Sequence, residues 1–193
     1  PRYGSSAASD VYKRQPPALF RTAMEELGRW LSYEAIRDWL PHRKEVVKTP
    51  LGSSEGTVIE TAVPLLAVPM FPGGLHLWEG ARQVLPSAEL CLGGLPEAIE
   101  TQAGVVLLLD QIRDGDELID LLQRLKGLGV EAPRLRVITA LTSSPGLKRI
   151  GETNPEITIH TACIDAELDE QGRILPGIGD PLQRLGIRTA QPN

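Results

Sequence analysis

Three apolar runs without polar alternation, at residues 65–70, 104–109 and 135–141, constrain this chain more than any other feature. A strand with one wet face alternates apolar with polar, whereas an unbroken run must be covered on both sides. Further strand-like runs at 89–92 and 157–162, with a strongly amphipathic segment at 116–126 between two of the strands, imply an α/β fold. The expected architecture is a mainly parallel twisted sheet with helices on both faces. Pro16 and Pro17 can open a helix on which Leu19, Ala23, Leu27, Trp30, Leu31 and Ile36 follow one face until Pro41. Residues 75–85 read as a second helix, and the 46–58 segment carries a turn at Thr49-Pro50-Leu51-Gly52.

The 193 residues, 41% hydrophobic and 23% charged, suit one domain with a sizeable core. A formal net charge of -5 gives no general basic field, so neither nucleic acid nor an anionic membrane is an expected partner. No apolar run approaches the roughly 20 residues of a membrane-spanning helix, and no secretory pattern opens the chain. The expected location is the cytoplasm. Cys91 and Cys163 have no metal-type spacing and read as buried free thiols. Ser9-Asp10-Val11-Tyr12-Lys13-Arg14-Gln15 resembles a translated sequencing-library adapter. Residues 1–15 are therefore set aside as a disordered scar, and 16–193 are expected to form the single domain.

The densest functional signal is at residues 159–184, I-H-T-A-C-I-D-A-E-L-D-E-Q-G-R-I-L-P-G-I-G-D-P-L-Q-R. Pro176-Gly177-Ile178-Gly179 makes a turn with little side-chain bulk, where a flat ligand can reach backbone groups directly. The run resembles the uracil-binding segment of uracil phosphoribosyltransferases, in which a strand ending T-A-x-I-D leads through a flap to a hydrophobic-P-G-hydrophobic-G-D turn. Phe20-Arg21, Glu25-Glu26-Leu27-Gly28, Tyr33-Glu34-Ala35 and the Thr49–Gly52 turn also resemble that family, so the similarity covers most of residues 19–185. It implies a type I phosphoribosyltransferase fold with a short C-terminal flap, a homodimer, and transfer of phosphoribosyl from phosphoribosyl pyrophosphate to uracil, giving UMP in pyrimidine salvage, usually with Mg2+. By the match, Ile174, Gly177, Gly179, Asp180 and Pro181 form the base subsite, with Ile174 and Gly179 offering backbone groups to the uracil edge. Asp180 faces the other substrate. Pro181 stands where relatives usually have Ala, and removes one N–H donor.

The phosphoribosyl pyrophosphate subsite maps onto Gly74, Asp110, Arg113, Asp114, Gly115, Asp116 and Asp180, and here the pattern departs. The family's D-P-M-L-A-T-G-G-S loop, whose amides wrap a phosphate at a helix N-terminus, reads Asp110-Gln111-Ile112-Arg113-Asp114-Gly115-Asp116-Glu117-Leu118. Three carboxylates, Asp114, Asp116 and Glu117, stand where a dianion belongs, and each like-charge contact at ~4 Å costs on the order of 1 kcal/mol in water. Asp114 and Glu117 read as a capping pair for the following helix. A metal site on Asp110, Asp114 and Asp116 is the alternative, with loose spacing. Pro72 replaces a pyrophosphate-binding Arg, and Gly93-Gly94 replaces a longer arm carrying a second one. No catalytic residue is assigned.

His42, His76 and His160 share no metal spacing, and His160 reads as a satisfied structural histidine. Ser143-Ser144-Pro145-Gly146 reads as a turn rather than a nucleophile. The three tryptophans, Trp30, Trp39 and Trp78, read as core or dimer surface. Three readings stay open: a transferase with a rebuilt phosphate site using Arg113 or Arg173, a non-catalytic relative that binds a pyrimidine or its nucleotide in a regulatory role, and a structural protein that binds neither substrate.

Overall fold

The computed structural model describes residues 16–60 and 62–188; the adapter-like segment lies outside them. Helix α1 (Pro17–Arg37) begins on a proline, whose missing N–H is an orphan there in any case, and it ends before Pro41. Its buried stripe is Phe20, Met24, Gly28, Ser32, Ala35 and Ile36, rotated from the one that spacing suggests. Leu19 and Trp30 are instead more than half exposed. The rotation follows from contact with helix α2 (Gly74–Ala81). A methyl on Gly28 would collide with the Leu77 carbonyl, and one on Gly80 with the Glu25 carbonyl, so the two backbones touch. Only glycine permits that approach.

Strands β1 (His42–Thr49) and β2 (Gly52–Ile59) form an antiparallel hairpin separate from the main sheet, in register from His42 opposite Ile59 to Thr49 opposite Gly52. The Thr49 hydroxyl donates to the Gly52 carbonyl at 3.0 Å and accepts from the Leu51 amide, which closes the expected turn.

The main sheet contains β3 (Leu65–Pro69), β4 (Glu89–Leu90), β5 (Gly104–Ile112), β6 (Leu135–Ser143) and β7 (Ile159–Asp165). Its order is β4-β3-β5-β6-β7, all neighbours parallel. Alternate residues of the unbroken runs serve opposite layers. Ala67, Val106, Leu108, Ile138 and Ala140 pack under α1 and α2. Val68, Val105, Leu107, Leu109 and Val137 pack under α3 (Asp116–Gly127) and α4 (Ser144–Thr153). This two-sided burial is what the missing polar alternation required.

Two elements depart from expectation. Asp110 does not close its strand: β5 continues, pairing Gln111 with Leu141 and Ile112 with Thr142, because the Ile112 side chain is buried under α3. The Ser143–Gly146 turn is the start of α4, with the Ser143 hydroxyl accepting from the Gly146 amide at 2.9 Å as an N-cap. After β7 the chain forms a flap from β8 (Glu167–Leu168) and β9 (Ile174–Leu175), then the short helix α5 (Pro181–Leu185). Among the described residues no helix is long and apolar enough to cross a membrane.

Candidate active site

Strand β3 connects outward to edge strand β4, and the chain then returns to place β5 on the other side of β3. Loops leaving β3 and β5 therefore part at their C-terminal ends and open a crevice, the usual ligand position in such sheets. Met70, Phe71 and Pro72 leave from one side, and Asp110, Gln111 and Arg113 from the other. With Asp180 and Pro181 they bound a pocket of about 160 Å³. A contiguous set of residues lines a larger cleft of about 660 Å³, in which Gln111 and Arg113 face Arg173, Ile174, Gly179 and Asp180. Long-range packing thus joins the end of β5 to the C-terminal turn.

The C-terminal turn is anchored from β7. The Asp165 carboxylate, 7% exposed, accepts from the Gly177 amide at 2.9 Å, and Gly177 itself has φ 63°. A side chain there would be strained and would strike the Ile174 carbonyl. Gly179, at φ 77°, faces open space. The Asp180 carboxylate caps α5 by accepting from the Leu182 amide at 2.9 Å. Pro181 is the first residue of α5, so its lost N–H leaves no helical bond unmade. Arg184 donates to the Ile178 carbonyl at 3.0 Å and lies over the Phe20 ring, tying the turn to α1. Asp165 ends the T-A-x-I-D motif, yet only the fold reveals it as the strut of the C-terminal turn.

On the phosphate side the expected residues divide. Asp110 and Arg113 line the crevice, and Glu117 lines the smaller pocket. Gly74 is packed against the Leu108 carbonyl at the start of α2 and presents no side chain. The Asp114 carboxylate accepts from the Asp116 amide at 3.1 Å, and Asp116 is ion-paired with Arg149. Gly115, not Asp114, is the N-cap of α3, so the expected Asp114–Glu117 capping box does not form. Ser143 donates its hydroxyl to the Arg113 carbonyl, and Gly146 packs on the same carbonyl, stapling this loop to α4. On one side of the loop lies a cavity of about 10 Å³, room for one water, while Gln111, Arg113 and Glu117 also line the 160 Å³ pocket. Two of the three carboxylates expected to oppose a phosphate, Asp114 and Asp116, are satisfied within the fold.

Asp110 accepts from the Gly73 amide at 3.2 Å. Burial pushes its pKa up to about 6, against the stabilising Gly73 and Gln111 amides, with Glu117 adding to the rise. In the flap, the Asp169 carboxylate accepts from the Gln171 and Arg173 amides and pairs with the Arg173 side chain at 2.7 Å. These contacts, the Arg173 amide foremost, lower its pKa. Gln111 and Asp169 escaped notice as site residues in the sequence. Nothing in the local pattern shows that the side chains after Asp110 meet the flap.

Among the described residues no group of three His, Cys, Asp or Glu side chains could hold a metal ion, so Asp110, Asp114 and Asp116 do not come together as a ligand set. The histidine reading is also corrected: His160 Nε2 is buried without a hydrogen-bond partner. Burial and the neighbouring Arg136 charge lower its pKa and favour the neutral ring.

The family model described as uracil phosphoribosyltransferase matches residues 12–185. A uracil phosphoribosyltransferase of Synechococcus elongatus is 37% identical over 90% of this chain and 87% of the relative. One from Synechocystis is 36% identical over 86% and 84%. The chloroplastic enzyme of Arabidopsis thaliana is 30% identical over 92% of this chain and 66% of its own length. Among solved structures, the AQ2163 protein from Aquifex aeolicus superposes with a TM-score of 0.78 at 25% identity, covering 96% of this chain and 95% of that one. The parallel five-stranded sheet and these matches agree: the fold is of the type I phosphoribosyltransferase kind, and the chain belongs to the uracil phosphoribosyltransferase family.

Proposed function

We propose that this family member binds a pyrimidine base at its C-terminal turn and does not transfer phosphoribosyl groups, acting in the cytoplasm as a binding or regulatory protein. One observation carries the loss of transfer. The loop that would wrap a phosphate places the Asp114 carboxylate on the helix-terminal Asp116 amide, which is then not free for a ligand. A phosphate needs several free amides converging on it. The base side is supported by the turn at Gly177 and Gly179, held by Asp165 beside a cleft large enough for a nucleobase. The relatives are named for uracil, which supports it as the base bound here. The free thiols Cys91 and Cys163 suit a reducing compartment.

Arg113 favours a second reading, in which transfer survives with this cation as a replacement. It is exposed and faces both cavities. Incubating the full chain with labelled uracil, phosphoribosyl pyrophosphate and Mg2+ separates the two. UMP formation at background, with uracil binding measurable by calorimetry and weakened about tenfold in Asp165→Ala, is the expected result. Turnover abolished by Arg113→Gln would establish the second reading instead. Silence toward uracil as well would remove the base site.

A homodimer is part of the proposal, supported by exposed Val46, Val47 and Leu51 on the hairpin and by Trp30 and Tyr33 on α1. Light scattering after size exclusion should give twice the 21.0 kDa chain mass; a monomer at micromolar concentration would contradict it.

A further inference from the structure

The fold leaves an amide of the C-terminal turn without a partner. Gly177 donates to Asp165, whereas the Gly179 N–H makes no hydrogen bond among the described residues. Gly179 lines the 660 Å³ cleft and has open space beside its Cα. The direction of that N–H is set by the other half of the same peptide unit. The Ile178–Gly179 bond is trans, so the Ile178 carbonyl and the Gly179 N–H point in opposite directions within one plane. Arg184 Nη1 donates to that carbonyl at 3.0 Å. Its guanidinium also lies 4.2 Å over the ring of Phe20, a fully buried residue of α1. Helix α5, which carries Arg184, is itself seated on α1, with Leu185 fully buried and its carbonyl accepting from Arg21 at 3.0 Å. A cation held in this way keeps the Ile178 carbonyl on its own side and turns the Gly179 N–H away from it.

We infer that Arg184 is a positioning residue for base recognition: through the Ile178 carbonyl it sets the peptide plane whose N–H donates to a carbonyl oxygen of a pyrimidine. This rests on the base-subsite reading above. Glycine restricts its own backbone least, so a plane ending on Gly179, at φ 77°, turns easily unless something outside the turn holds it. Linked hydrogen bonds also polarise one another, and a cation on the carbonyl makes the N–H of the same unit a stronger donor. Arginine suits the task because its planar fork covers the Phe20 face while one nitrogen reaches the carbonyl, whereas a lysine ammonium is a point charge.

Calorimetric titration of the full chain with uracil, 2-thiouracil and 4-thiouracil tests this, in the wild type and in Arg184→Met and Arg184→Lys. A thione sulfur is a poorer acceptor than a carbonyl oxygen, so the wild type should bind one of the two thio analogues about fivefold more weakly than uracil, the worth of one neutral hydrogen bond. Arg184→Met keeps an apolar stem against Phe20 and removes the donor. It should abolish that preference by weakening uracil while the disfavoured analogue binds as before. Arg184→Lys should retain a preference of about twofold. All ligands are read on one preparation, so a partly unfolded variant loses sites for each alike and the ratio of affinities is untouched. An undiminished preference in either variant, equal weakening of all three ligands in Arg184→Met, or a wild type that binds all three alike overturns the inference and leaves the base site standing. Silence of the wild type toward uracil removes the base reading, and the inference with it.

Discussion

Gly80→Ala is expected to lower stability by about 2 to 3 kcal/mol, although alanine is the better helix former by about 1 kcal/mol. The added methyl would meet the Glu25 carbonyl oxygen, and Arg29 backbone lies beside it, so the clash is with rigid helix rather than with a side chain that can swing away. Relief requires α1 and α2 to separate, which opens voids around Leu77 and Met24, both fully buried. For a chain of this size the loss corresponds to a fall in Tm of about 4 to 12 °C. Gly28→Ala, meeting the Leu77 carbonyl from the other helix, should behave alike. Gly151→Ala supplies the contrast, since nothing lies within 4 Å of its added methyl inside α4. That variant should gain about 0.5 to 1 kcal/mol. Urea melts of the three variants check the argument; equal effects at Gly80 and Gly151 would show that helix propensity, not the crossing, governs.

Asp110→Asn should stabilise the protein by about 2 to 3 kcal/mol at pH 8 and by almost nothing below pH 4. The native carboxyl titrates at about 6 and the unfolded one at the ordinary 3.8. Between these values the folded state holds a proton that the unfolded state has released, so stability attributable to Asp110 is fully present below 3.8 and is lost as pH rises through 6. The gap of 2.2 converts to about 3 kcal/mol, reduced somewhat because the crevice admits solvent. Asparagine keeps an oxygen for the Gly73 amide and carries no charge to bury. Urea melts across pH 4 to 8 should show the two proteins diverging upward; parallel curves would contradict a titrating Asp110. The residue that weakens the fold at neutral pH lies in the crevice between β3 and β5, where functional carboxyls are commonly held at such cost.

Much of this was legible in the chain. The unbroken apolar runs fixed the number and burial of the central strands, since no other arrangement covers both faces, and Thr49-Pro50-Leu51-Gly52 specified its hairpin turn through local chemistry alone. The C-terminal turn could be read because its two glycines answer to backbone geometry, with φ values of 63° and 77° that other residues resist. Helix α4 was missed because Ser-Ser-Pro-Gly is equally good turn and helix-start chemistry, and only the amphipathic burial of Gly146 and Ile150 decides between them. The fate of the phosphate loop was half legible. Its carboxylates were plain and the Asp114 bond to the Asp116 amide is local, but the ion pair of Asp116 with Arg149 depended on a neighbour far along the chain.

Sequence by itself determined the layers and the hairpin turn, because those follow from periodicity and turn preferences. Tertiary structure alone decided which face of α1 is buried, that Asp165 braces Gly177, and that Gln111 and Arg113 confront Arg173 across one cleft. The physical reason is the same in each case: these contacts join residues distant in the chain, and they are selected by the packing of whole elements rather than by any preference the local sequence carries.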